Sequence, residues 1–350
     1  MNEIELVAEA VAQFRKCLAE VPFCEVDPCE LEAPSIPWQP DWTGRLRTDK
    51  KEWVVVLDAK PSGQPRVARD AANAISRYMS CCPNAIGVFA APYVSPAAAD
   101  ILQRDNIGYI DLSGNCRLCF DRVYIRVEGQ PNLFARKRDL RSLYSPKAER
   151  VLRSLLLEPR RGWKIEELAK TARVSLGQAS NVKKLLTDRE WLRRDDDGIR
   201  LTEPAKLLQE WSERYSYRKN KASDFYSADE LPEIEAKLAT ACKDLGIDYA
   251  LAGFSAAARL APAVRYQRAM AYVSDRLGEV AEWIGLKPVA SGPNVTLFEP
   301  YDEGVMAGTG KYDDIRVTSP IQAYLDVLGF RGRGEEAAET ILREVIEPTW

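Results

Sequence analysis

The sequence predicts a multidomain α/β protein, and three observations predict it. At 350 residues the chain can form two or three domains that each bury a core. Strand-like apolar runs recur at 53–57, 85–90, 109–112 and 123–127, with helical periodicity at 66–79 and 95–105 between the first three. That alternation is the signature of a layered unit with a partly parallel sheet. A second alternation fills the last third. The stretch between them carries 3.6-residue periodicity and a concentration of basic charge.

The first helix is expected over 3–21, where Ile4, Val7, Ala8, Val11 and Phe14 fall on one face. Pro28, Pro34, Pro37 and Pro40 then interrupt the chain before the first long strand. After the strand at 109–112, Ser113-Gly114-Asn115 is turn chemistry, which serves as a plain turn or as a ligand contact. One constellation here can carry chemistry. Asp58 and Lys60 lie two apart at the end of an apolar strand and so share a face, and Pro40-Asp41 precedes them. Two carboxylates can hold a divalent cation, and a lysine can neutralise charge developing on a phosphate. The set resembles the PD…D/E-x-K pattern of the restriction-endonuclease-like superfamily. The resemblance implies a domain of that type over residues 1–135, expected to be inactive, with Asp41, Asp58 and Lys60 as catalytic residues and Mg²⁺ as cofactor only if it is not. The plainer alternative is that Asp58 and Lys60 are ordinary strand-end polar residues.

The middle segment, 136–220, reads as a winged helix-turn-helix. Val151, Leu152, Leu155 and Leu156 mark a first helix, and Ile165, Leu168 and Ala169 a short second one. Arg173-Val174-Ser175 is the turn. Ser175 is placed to cap a third helix with Val182, Leu185 and Leu186 on its inner face. Trp191 and Leu192 open a strand, Asp197-Gly198 is the expected turn, and 199–202 return as the wing. A third helix of this kind fits the DNA major groove. Its outward candidates are Ser175, Gln178, Ser180, Asn181, Lys183 and Lys184. Amides suit adenine edges, and lysine suits phosphate or guanine. Arg193, Arg194 and Arg200 lie on the wing arms, whereas Asp195-Asp196-Asp197 forms an acidic tip expected to stand clear of phosphate. The alternative is a winged helix used only for protein packing.

Charge favours nucleic acid. Residues 136–220 hold 22 Lys+Arg against 13 Asp+Glu, a net of +9; the chain as a whole has 49 against 52, which leaves 27 against 39 elsewhere. Arg136-Lys137-Arg138 and Arg141 add a basic run that is either a solvated surface or a phosphate-contacting arm.

Composition excludes several functions. The chain has no histidine, which removes Ser–His and Cys–His catalysis. Eight cysteines (17, 24, 29, 81, 82, 116, 119 and 242) are expected as free thiols, because no secretion signal accompanies them. Cys116 and Cys119 have a zinc-knuckle gap, but strand residues three apart face opposite ways and no second pair matches, so no metal is expected. No apolar run approaches a membrane span, and a cytoplasmic location is expected.

In the last third a helix over 229–245 ends near Gly246, and Tyr249–Ala252 forms a strand. Gly253 turns into a helix, and 269–273, 295–298 and 315–317 are further strands, with helices at 276–284, 320–328 and 334–346. Strand, Gly-x-Ser, helix resembles the opening of a nucleotidyltransferase fold. Such an enzyme needs paired carboxylates on the next strand, and only Asp275 follows it. Transferase chemistry is therefore not expected from 221–350.

Four segments in this order are similar to the AbiEi-like antitoxins of type IV toxin–antitoxin systems. They are Tyr109-Ile110-Asp111-Leu112-Ser113-Gly114-Asn115, residues 168–182, Ala252-Gly253-Phe254-Ser255-Ala256-Ala257, and Ser319 to Asp326 with Arg331 to Ala338. The resemblance implies a DNA-binding repressor of its own operon whose C-terminal domain opposes a toxin of nucleotidyltransferase type. Double-stranded DNA and a cognate toxin are the implied partners, and a homodimer is compatible with them. Simpler members begin with the winged helix, so the first 135 residues are an addition. A metal-dependent DNA nuclease targeted by the winged helix is the alternative function.

Overall fold

The computed structural model describes residues 2–19, 21–28, 38–49, 51–134, 143–262, 265–330 and 332–350. Mixed α/β structure runs through the chain in two compact units, Met1–Leu140 with Leu185–Glu190, and Arg141–Lys184 with Trp191–Trp350. Among the described residues the strands form sheets of seven, seven and two. The basic run Arg136, Lys137, Arg138 and Arg141 lies outside the described residues, as do Cys29, Pro34, Pro37 and Arg331.

The sheet of the first unit follows chain order: β1 (Glu25–Pro28), β2 (Trp42–Arg47), β3 (Glu52–Ala59), β4 (Ala85–Ala91), β5 (Gly108–Asp111), β6 (Cys116–Phe120) and β7 (Val123–Val127). β3, β4 and β5 are parallel, flanked by antiparallel strands on both sides. Parallel neighbours need crossovers, and α2 (Pro65–Cys81) and α3 (Pro96–Arg104) provide them. α1 (Glu3–Leu18) starts with a capping box: the Asn2 side chain accepts from the Glu5 N–H and the Glu5 carboxylate accepts from the Asn2 N–H. Leu6, Ala10, Phe14 and Leu18 of this helix pack with Leu46, Val55 and Leu57 on one face of the sheet. Ala68, Ala72, Ile75, Ala98 and Leu102 pack with Val56, Phe89 and Tyr109 on the other. A strand buried on both faces reads as a continuous apolar run, which explains the Val-Val-Val-Leu of β3.

β1 and β2 escape sequence patterning because β2 (Trp-Thr-Gly-Arg-Leu-Arg) buries only Gly44 and Leu46. The Ser113-Gly114-Asn115 segment is a structural turn. The Asp111 carboxylate accepts from the Asn115 backbone and amide, each at 2.8 Å, and from the Val94 N–H at 3.1 Å. Asn115 in turn exchanges two hydrogen bonds with the Gln130 backbone. Cys116 is buried and Cys119 exposed, as opposite faces of β6 require, and the described cysteines are free.

In the second unit α4 (Pro146–Leu157), α5 (Ile165–Thr171) and α6 (Leu176–Asp188, whose last turn falls in the first unit) precede the hairpin β8 (Leu192–Asp195) and β9 (Gly198–Leu201). α7 (Pro204–Ser212) leads on to a sheet ordered β13-β10-β14-β12-β11-β16-β15. Its strands are β10 (Lys221–Tyr226), β11 (Tyr249–Leu251), β12 (Ala269–Val273), β13 (Lys287–Pro288), β14 (Val295–Glu299), β15 (Gly310–Tyr312) and β16 (Ile315–Val317). The helices are α8 (Leu231–Leu245), α9 (Gly253–Leu260), α10 (Leu277–Trp283), α11 (Pro320–Leu328) and α12 (Arg333–Ile341). α8 ends at Gly246 in the left-handed conformation, a C-cap that satisfies its last carbonyls. α12 stops earlier than expected, at Ile341, and a π-helical turn over Leu342–Ile346 replaces its end. β10 was not legible in the sequence because Phe225 is its only buried residue.

Candidate nucleic-acid interface

The expected helix–helix–helix–hairpin order is present between Pro146 and Leu201. Val151, Leu152, Leu155 and Leu156 of α4 are buried, together with Leu168 and Ala169 of α5 and Ala179, Val182 and Leu186 of α6. Leu185, expected on the inner face, is only partly buried, and Ala179 takes its place in the stripe. Ser175 caps α6 by accepting from the Gln178 N–H at 3.2 Å. The stripe Ala179-Val182-Leu186 sets the opposite face outward. Gly177, Ser180, Asn181 and Lys184 are exposed there, while Gln178 and Lys183 sit half-buried at its flanks.

The wing turn falls one residue before the expected Asp197-Gly198. Gly198 pairs with Asp195, so Asp196 and Asp197 form the turn. Glycine is required at 198: φ is 128°, and a Cβ would stand 2.3 Å from the Trp163 carbonyl oxygen. Trp163 and Ile199 exchange backbone hydrogen bonds of 2.8 and 2.9 Å, which ties the wing to the segment before α5.

Asp195 is not part of the repelling tip. It lies on β8, where its carboxylate accepts from Arg193 Nε at 2.8 Å and stands 3.5 Å from Arg200 Nε. The hydrogen bond from Arg193 holds the Asp195 carboxyl below its ordinary range. Arg193 and Arg200 are cross-strand neighbours, so one carboxylate neutralises two of the three wing arginines. Among the described residues Arg194, Lys183 and Lys184 make no ion pair. With Asp195 on β8, Arg193 and Asp195 lie two apart on one strand and share a face.

Sequence reasoning missed the other face of α4. Arg150 is bidentate to Asp302, with Nε–Oδ1 and Nη2–Oδ2 both at 2.7 Å, and it also pairs with Glu303. Its Nη1 donates to the Arg173 carbonyl at 3.2 Å, in the turn before α6. Arg173 itself has φ of 51°, the left-handed conformation at that turn. One turn along α4, Arg153 is fully buried. It donates to Gln322 Oε1 at 2.7 Å and stacks 4.8 Å from the Trp211 ring centre. Buried Glu149 accepts from Lys219 at 3.1 Å and from the Tyr301 hydroxyl. Asp326 completes this network. One of its oxygens accepts from Tyr215, Tyr272 and Gln322, each at 2.8 Å, and burial pushes its carboxyl up to about 6.

In the first unit Asp41, Asp58 and Lys60 do converge. Lys60 Nζ is 2.5 Å from Asp58 Oδ1 and 3.5 Å from Asp41 Oδ2, and the latter oxygen accepts from the Ala59 N–H at 2.7 Å. The β2–β3 hairpin brings them together by pairing Trp42 with Leu57. Asp58 is fully buried and its Oδ2 has no hydrogen-bond partner. Burial pushes its carboxyl up to about 6, against the opposing pull of Lys60. Burial lowers Lys60, but the hydrogen bond and charge of Asp58 outweigh it and the ammonium is held above its usual range. Two carboxylates suit Mg²⁺, and here the ammonium lies against both. Among the described residues no group of three or more Cys, Asp or Glu side chains is arranged to hold a metal. No described helix is long and apolar enough to cross a membrane.

Residues 200–347 match a family model described as transcriptional regulator, AbiEi antitoxin, type IV TA system. The match takes in two of the segments on which the resemblance rested, 252–257 and 319–338, and begins after the other two, 109–115 and 168–182. No curated protein and no solved structure matches the chain. Over residues 200–347 the chain is thus similar to the AbiEi antitoxins of type IV toxin–antitoxin systems, a family described as transcriptional regulators.

Proposed function

We propose that the chain binds double-stranded DNA through α6 and the wing and represses its own operon as an AbiEi-like antitoxin with a cognate toxin. The observation that carries this reading is the outward face of α6, where Ser180, Asn181 and Lys184 stand exposed above a buried Ala179-Val182-Leu186 stripe. In this reading Gln178, Ser180 and Asn181 address base edges from the end of the helix that Ser175 caps. Lys183, Lys184 and Arg194 neutralise phosphate, and Arg193 and Arg200 are held in reserve by Asp195. A dimer would bind paired half-sites. The test is binding of the full chain to duplexes from the region upstream of its own gene, with unrelated duplex as competitor. The double variant Asn181→Ala/Lys184→Ala should lose at least about tenfold in affinity, two contacts of about 1 kcal/mol or more each. Equal binding by variant and wild type would remove α6 from the interface. Co-expression with the adjacent gene tests the antitoxin role, and toxicity that the chain does not relieve counts against it.

A second reading, a metal-dependent DNA nuclease, is favoured by the meeting of Asp41, Asp58 and Lys60. In it Asp41 and Asp58 would hold a divalent cation, which would polarise the phosphate, and Lys60 would neutralise charge developing on it. Supercoiled plasmid with Mg²⁺ or Mn²⁺ distinguishes the two. Nicking that disappears in Asp58→Ala would establish the nuclease, and intact plasmid leaves the three residues a structural ion cluster.

A further inference from the structure

Leu176 and Gly177 open α6, and neither is explained by the packing of the chain. Leu176 is 49% exposed. It lies three residues before buried Ala179 yet stays in solvent, beside Ser180 one turn on. Gly177 is stranger. Its φ is ordinary, and an added Cβ would meet nothing within 4 Å. Glycine inside a helix is destabilising relative to alanine, because it loses more backbone freedom on folding. Some glycines of the unit answer to internal constraints, such as the carbonyl 2.3 Å from a Cβ at Gly198, whereas Gly177 and, in α10, Gly278 both have open space around them. At 177 that open space lies on the outward face of α6, where the missing side chain leaves room for a partner to come close. Gly177 points directly away from the buried stripe, on the strip shared with Ser180, Asn181 and Lys184.

We propose that Leu176 and Gly177 form a thymine-reading element: Gly177 lets the first turn of α6 approach the floor of the major groove, and Leu176 packs on a thymine 5-methyl group. The major groove presents one apolar handle, the thymine methyl, and side chains read it by contact. An exposed leucine at the leading end of the helix, beside a position with no Cβ, matches that handle. Leucine has no donor or acceptor, so guanine, cytosine and adenine edges would be desolvated against it without return. This inference rests on the reading of the chain as a DNA-binding regulator and names the base that the helix selects.

The test uses the full chain and duplexes enriched by it from a random-sequence pool. Each thymine of the enriched site is replaced singly by deoxyuridine, which removes only the methyl group. At one position wild type should lose about fourfold in affinity, the worth of one buried methyl. Leu176→Ala should bind the two duplexes alike, and Leu176→Met should keep the preference. Gly177→Ala should raise the melting temperature by about 2 °C while weakening binding about tenfold. If no thymine is sensitive while Asn181→Ala still loses affinity, the thymine element is wrong and the regulator reading stands. If Leu176→Ala changes the oligomeric state and leaves the thymine preference intact, the leucine is a protein contact and the proposal falls. If no duplex is enriched, both fall together.

Discussion

Asp195→Asn examines the electrostatics of the wing more sharply than any deletion of a cation. In the wild type Arg193 and Arg200 are committed to Asp195 at 2.8 and 3.5 Å. Of the candidate cations on α6 and the wing, that leaves Lys183, Lys184 and Arg194 available to phosphate. Each phosphate neutralised adds about −0.9 to the slope of log K against log salt. Three contacts give a slope of about −2.7, and five give about −4.5. Asparagine keeps the shape of the side chain, and the Asp195–Gly198 pairing is carried by backbone, so the hairpin should persist. The variant should therefore bind more tightly at low salt, with the advantage shrinking as salt rises from about 50 to 200 mM. Fluorescence anisotropy of a labelled duplex across that range gives both slopes. Equal slopes would refute the argument. They would mean either that the arginines leave Asp195 unaided when DNA arrives or that the wing never reaches phosphate.

Other consequences follow from the buried charges. Arg153→Ala leaves Glu149 and Gln322 without their guanidinium partner in a fully buried site and should cost about 3–5 kcal/mol. Removing both charges in Glu149→Leu/Arg153→Met should recover much of that loss in denaturant titration, and no recovery would show that packing against Trp211 dominates. Asp326 has its folded-state pKa raised to about 6, above the unfolded value. Its contribution to stability is therefore complete below about pH 4 and disappears as pH rises through 6, an effect of about 3 kcal/mol. Asp326→Asn should lack this pH dependence, so the stability difference between variant and wild type should change between pH 4 and 7. Parallel stability curves would contradict the assignment.

The legible parts of this chain were those whose pattern is set by one element at a time. β3, β4 and β12 announce themselves because both faces are buried and nearly every residue is apolar. α6 is readable from its cap and its stripe. Asp58 and Lys60 are readable from strand alternation, and Asp41 is brought beside them by hairpin pairing alone. The hidden parts are those decided by tertiary partners. β2 and β10 look like loops because each buries so little. Arg150 and Arg153 look like solvated helix positions, since nothing local says that Asp302 and Gln322, more than 150 residues away, will cover them. Asp195 reads as a turn residue until the hairpin register places it on a strand between two arginines.

The position of α4 gives the second unit its logic. One face of this helix supplies the core of the three-helix module, through Val151, Leu152, Leu155 and Leu156. The adjoining face is held by Asp302, Tyr301 and Gln322, all inside the family-matched segment. Bidentate arginine–carboxylate pairs have narrow geometry, so they fix an orientation that apolar packing alone would leave adjustable. Arg150 reaches further, to the Arg173 carbonyl, and Arg173 itself lies 3.8 Å from Glu303. The turn that sets the direction of α6 is thus gripped by the loop carrying Asp302 and Glu303.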